Sequence, residues 1–165
     1  MNKKHTFYFG FVLTTIIGLQ ACGTTNEVLD EKPSEVIVEV MDVAFKNVAS
    51  GNLQGDGAEG INEGGVVINS QEEWTSLMTK MNSVNEAVKE QSIDFNNTTV
   101  LAYFDQIRGS GGYTVEFASV SQTSKSIQVQ IKRTASDGND IEIMTQPYSI
   151  VFIEKTDKTV VFINQ

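Results

Sequence analysis

The spacing of apolar side chains changes along this chain, and each change predicts an element. Val36, Val38 and Val40 stand out of phase with Ile37, Glu39 and Met41, the period-two pattern of a strand, which extends toward Phe45. Gly51, Gly55, Gly57, Gly60, Gly64 and Gly65 then crowd residues 51–65, which reads as a long flexible loop. Val66-Val67-Ile68 is a short buried strand. Ser70 and Glu73 have the spacing of a capping box, in which the hydroxyl takes the Glu73 amide and the carboxylate reaches back. Trp74, Leu77, Met78 and Met81 follow at i, i+3, i+4 and i+7, one apolar helix face, so a helix is expected over about 70–82. A weaker amphipathic run from Val84 to Val88 predicts that the helix is prolonged or restarts.

Beyond the helix the pattern is β. Thr98 to Phe104 is apolar enough for a central strand. Strands follow at Gly111–Val120, at Ser126–Lys132 with Ile127, Val129 and Ile131 inward, around Tyr148, Ile150 and Phe152, and at Val160–Ile163. Short, turn-rich links favour antiparallel pairing. The expected fold is α+β, mainly β: an antiparallel, sandwich-like sheet with one capped amphipathic helix packed on it.

The first 23 residues have a different logic. Lys3 and Lys4 precede an apolar stretch from Phe7 to Ile17, too short to span a bilayer, which ends in Leu19-Gln20-Ala21-Cys22. This resembles the lipobox of bacterial lipoproteins. The resemblance implies that a diacylglyceryl group is added to the Cys22 sulfur and that a peptidase cuts before Cys22. The competing reading is an ordinary secretory signal with an incidental or buried cysteine. The expected organisation is a signal peptide at 1–21, a polar tether at 22–35 and a single globular domain at 36–165. Acyl chains on Cys22 would hold the protein on a membrane, each buried CH₂ adding ~0.8 kcal/mol. Gly23 after the acylated residue resembles outer-membrane sorting in Gram-negative bacteria, so the expected location is the cell envelope, lipid-anchored at the outer membrane.

Composition narrows the chemistry. The formal charge is −9, and cleavage would remove Lys3 and Lys4, leaving the mature chain more acidic still. That argues against nucleic acid as a partner. The single histidine, His5, lies in the signal, and Cys22 is the single cysteine. A Ser-His-Asp triad, a Cys-His pair and His or Cys zinc sites are therefore excluded from the mature chain. No catalytic residue, metal or cofactor is expected. Residues 51–65 lack the Gly-Lys-Ser/Thr ending of a phosphate-binding loop, and Asp56, Glu59 and Glu63 fit no calcium-loop spacing, so a mobile acidic loop is expected. A carboxylate-based enzyme would need a pair such as Asp94 and Asp105 facing one cleft.

A longer resemblance rests on order and spacing. Glu72-Glu73-Trp74 lies on the capped helix, and Ile93-Asp94-Phe95 leads into the strand at Val100. Gly111-Gly112-Tyr113 opens a strand, and Thr145-Gln146-Pro147-Tyr148 precedes Ile150 and Val151. From about 66 to 162 this resembles the C-terminal domain of the PrcB family of protease-complex subunits. Ser110 departs from the family pattern, which often has Thr before Gly-Gly-Tyr, and residues 36–50 and the glycine-rich loop lie outside the likeness. The resemblance implies a non-catalytic lipoprotein that associates with and stabilises an exported protease.

In physical terms, Gly111 and Gly112 suit either a hairpin turn with a bulge or the close approach of another backbone. Pro147 places its strand start at or beyond itself, or at an edge. Tyr148 reads as a core aromatic with a wet hydroxyl or, with Arg108, Gly111, Gly112, Tyr113 and Pro147, as part of a protein-binding patch at one end of the sheet. The Gly-Gly and Pro-Tyr segments also resemble loops of chagasin-like protease inhibitors, which gives inhibition as the alternative function.

Overall fold

A computed structural model describes residues 39–89, 91–135, 138 and 142–164. The signal, Cys22, the tether and residues 36–38 lie outside the described residues. Among the described residues, eight strands and one helix follow in the order β1 (Met41–Asp42), β2 (Phe45–Leu53), β3 (Gly64–Ile68), α1 (Gln71–Met81), β4 (Thr98–Phe104), β5 (Thr114–Gln122), β6 (Ser126–Thr134), β7 (Gln146–Glu154) and β8 (Thr159–Asn164). They form two four-stranded sheets, β1-β5-β6-β8 and β2-β7-β4-β3. The expected α+β, mainly β sandwich with one helix is the architecture found.

The second sheet is the middle layer. On β4, Val100, Ala102 and Phe104 join Trp74, Met78 and Met81 of α1 in one core, while Leu101 and Tyr103 join Val115, Val129 and Ile131 in the other. A strand covered on both faces has no polar face, which is why β4 and β7 are buried along nearly their whole length.

The helix begins as its sequence dictates, with one shift. Ser70 Oγ accepts from Glu73 N at 3.2 Å, but the Glu73 carboxylate accepts from Asn69 N at 2.7 Å, one residue before the capping-box position. That bond holds the Glu73 carboxyl below its usual range. The helix neither continues nor restarts over Val84–Val88. Asn82 caps it, and its side-chain oxygen takes the amides of Ala87 and Val88 at 2.8 and 3.0 Å, folding the buried Val88 back onto the helix core.

Three other expectations are corrected. The strand expected from Val36 toward Phe45 is broken: β1 makes two pairs with β5, and the chain then crosses to the other sheet at Phe45. Residues 51–65 are not one long loop. Gly51 pairs with Tyr148 inside β2, and Gly64 and Gly65 open β3. Both Gly51 and Gly65 lie under aromatic rings: a Cβ would come 3.2 Å from Tyr148 Oη at Gly51 and 2.2 Å from Phe162 at Gly65. Pairing is not antiparallel throughout, because β8 runs parallel to β6. Residues 155–158 carry the chain from one sheet to the other, so no hairpin reversal sets the direction of β8 against its new neighbour.

Candidate functional site

The densest polar constellation starts at Asp105, the residue after β4. Its carboxylate is 4 % exposed and accepts from Arg108 Nε at 3.0 Å and Nη2 at 2.5 Å, and from Arg133 Nε at 2.8 Å. Burial pushes the Asp105 carboxyl up, but the hydrogen bonds from Arg133 and Arg108 outweigh it and hold the group below the ordinary aspartate value. Arg133 is raised in turn, chiefly by its bond to Asp105. Its Nη2 donates to Tyr103 Oη at 2.6 Å, and that hydroxyl donates to Asn164 Oδ1 at 2.8 Å. Three separate chain segments thus meet beside a cleft of about 410 Å³, which Glu63 and Gly64 also line.

The backbone around this network is pinned. Asp105 N donates to Pro147 O at 2.8 Å, and Arg108 and Thr145 exchange N–H···O bonds at 2.7 and 3.0 Å. Thr145 Oγ1 reaches Ser110 O at 3.0 Å, and the Gln146 amide donates to Asp105 O at 3.0 Å and Ile61 O at 3.1 Å. Flanking the Arg108–Thr145 bridge are Ile107 and Met144, both exposed large apolar side chains, at 42 % and 44 %. Arg108 lies 4.8 Å from the centre of the Tyr113 ring, within cation–π range.

The expected patch is therefore divided. Arg108, Gly111, Gly112 and Tyr113 lie on one segment, 105–113, which carries the chain from β4 in one sheet to β5 in the other; it is not a hairpin turn. Gly112 adopts φ +79°, a conformation that favours glycine. Pro147 and Tyr148 are buried inside β7. The Tyr148 ring joins the helix-side core, where its hydroxyl donates to Ala87 O at 2.9 Å and burial raises its pKa. Pro-Tyr therefore does not form a presented loop, which removes one of the two segments behind the inhibitor likeness.

Asp94 and Asp105 do not share a cleft. They lie beyond opposite ends of the seven-residue β4, about 20 Å of strand. Asp94 is also depressed, by hydrogen bonds from the Asn97 side chain at 2.9 Å and Asn96 N at 3.0 Å. Among the described residues no group of three or more His, Cys, Asp or Glu side chains forms a metal cluster. Asp105 acts as a clamp: an ionised carboxylate enclosed by two guanidiniums cannot donate a proton near neutral pH, but it fixes their direction.

Sequence reasoning found Arg108 and Tyr113 and missed Arg133, Tyr103, Asn164, Ile107 and Met144. Asp105 and Arg108 are three residues apart and gave a local hint. Arg133 is 28 residues from Asp105, and the pairing of β6 with β5 together with the packing of that sheet on β4 brings it into reach. Comparison with known proteins adds no relative: no family model, curated protein or solved structure matches the chain significantly.

Proposed function

We propose that this protein is a lipid-anchored, non-catalytic binding module of the bacterial cell envelope, and that it docks another envelope protein through the corner around Asp105. The observation that carries the reading is the pairing of a buried clamp with exposed recognition side chains. Asp105 immobilises Arg108 from beneath and Tyr113 lies against its guanidinium, while Ile107 and Met144, next in sequence to the Arg108–Thr145 bridge, are exposed. Arginine, tyrosine and methionine are enriched in interface cores, and a side chain ordered in advance loses less entropy on binding. The lipobox around Cys22 supports membrane attachment. The resemblance to PrcB-family subunits makes an exported protease the first candidate partner, with stabilisation as the role.

Photocrosslinking in native membranes tests this. A photoreactive residue at Ile107 or Met144 is expected to yield a discrete adduct with an envelope protein, foremost a protease. The same residue at Val161, also exposed but on β8, is expected to yield none. Equal labelling at all three positions, or none at any, overturns the assignment of the corner. For the anchor, Cys22→Ala is expected to accumulate as unprocessed precursor, and normal maturation of that variant contradicts lipidation.

A further inference from the structure

Glu59 is the least expected buried residue of the fold. It belongs to the glycine-rich segment linking β2 to β3, yet it is only 5 % exposed, and its Oε2 is buried with no hydrogen-bond partner. Among the described residues it forms no ion pair. The segment folds tightly over it. Ala58 N donates to Gly55 O at 2.8 Å and Gly60 N to Gly57 O at 3.0 Å, with Asp56, Gly57 and Gly60 at φ +53°, +80° and +64°. The carboxylate lies against the Gly55 backbone, where a Cβ would come 2.3 Å from Oε1 and 2.5 Å from Oε2. Only glycine leaves room for it there.

A second oxygen in the same neighbourhood is also unpartnered. Gln146, 2 % exposed, pairs with Leu53 at the end of β2 and spends its amide N–H groups on Ile61 O and Asp105 O, leaving Oε1 buried without a donor. Ile61 is two residues from Glu59, so the Gln146 head group abuts the same loop. Asn52 Oδ1 is a third buried orphan, but Asn52 is one residue out of phase with the Leu53–Gln146 pair and points to the other face of the sheet. It is left out of the set.

A buried carboxylate oxygen with no donor, on a side chain that forms no ion pair among the described residues, is costly, and native proteins answer it with a proton, a counter-ion or a metal. We propose that the 54–61 loop is a calcium site, with the Glu59 carboxylate as its charged ligand and Gln146 Oε1 and loop carbonyls as neutral ones. Carboxylate and amide oxygens are hard donors, and an irregular loop supplying a single charge suits the large, flexible coordination shell of Ca²⁺ better than the strict octahedron of Mg²⁺. One carboxylate among neutral oxygens places affinity at the weak end, on the order of 10⁻⁴–10⁻³ M, as in extracellular modules. The ion would also brace the corner described above, because Ile107 Cδ1 lies 2.6 Å from where a Cβ on Gly57 would sit. The inference does not depend on the docking proposal, since its readout involves no partner.

Thermal unfolding of the full chain in detergent, stripped with chelator and titrated with CaCl₂, tests it. The unfolding midpoint of the wild-type chain is expected to rise saturably over the millimolar range, with a much smaller response to MgCl₂. Glu59→Gln removes the charge at constant shape. It is expected to abolish the calcium response while leaving the metal-free midpoint equal to or above that of the wild type. Asp56→Asn and Glu63→Gln, on exposed acids of the same segment, are expected to keep the response. A wild-type midpoint that stays flat to about 10 mM Ca²⁺ overturns the site. So does a calcium response that survives in Glu59→Gln, or wild-type stabilisation by acid in place of metal, which assigns the burial to a protonated carboxyl.

Discussion

Tyr103 and Tyr148 sit on neighbouring strands of the middle sheet, are almost equally buried at 4 % and 3 %, and end in opposite chemistry. Tyr148 faces the helix side, where Gly51 leaves space over its ring and its hydroxyl is sealed by the Ala87 carbonyl. Tyr103 faces the other sheet, where its hydroxyl joins Arg133 and Asn164 at the rim of a charged cleft. Burial alone does not tell the two apart; the partner of the hydroxyl does. On the helix side the polar atom completes a core. At the rim it belongs to a network that fixes a loop and ends in exposed side chains.

The comparison can be broken most forcefully at the helix-side core. Trp74 is fully buried, and Trp74→Ala is expected to cost about 3–5 kcal/mol, a large share of the roughly 5–15 kcal/mol that holds an ordinary domain together, read by denaturant titration. Next comes the clamp. Asp105→Asn leaves two guanidiniums without their counter-charge. Because Arg108 and Arg133 are 22 % and 28 % exposed, the expected loss is about 2–3 kcal/mol, below that of a fully enclosed pair.

The same clamp predicts a pH dependence. Since the folded Asp105 carboxyl is depressed, its stabilisation is fully present above the unfolded value of roughly 4 and is lost as pH falls through the lower folded value. Asp105→Asn is therefore expected to flatten the acid limb of the stability profile. Gly65→Ala forces a methyl group into the Phe162 ring and is expected to cost about 1–3 kcal/mol by the same titration. The smallest effect is Tyr148→Phe, about 1 kcal/mol for one hydrogen bond, with no change in docking.

Legibility followed the range of the interaction. The helix was readable because Ser70, Glu73 and the Trp74–Met81 stripe act within three turns, and β6 was readable because its alternation is local. The parallel placement of β8 was hidden, because period two gives the face of a strand but not its neighbour. For Tyr148 the sequence leaves two readings, a core aromatic with a wet hydroxyl or part of a binding patch; Pro-Tyr lies in a strand covered on both faces, so the ring is core and its hydroxyl meets the Ala87 carbonyl. Asp105 looked like an ordinary turn acid, since the residue that changes its meaning, Arg133, arrives from a distant strand. By composition Glu59 groups with Asp56 and Glu63 in a mobile acidic loop. Nothing in sequence separates the one acid folded over Gly55 from its two exposed neighbours.

The most direct test of the central claim is the yield of the photocrosslink at Ile107 in the Asp105→Asn and Tyr148→Phe backgrounds, normalised to folded protein. If the rim displays a docking surface and the helix side only completes the core, the adduct is lost in Asp105→Asn and kept in Tyr148→Phe. An undiminished adduct in Asp105→Asn, or an equal loss in both, contradicts the account.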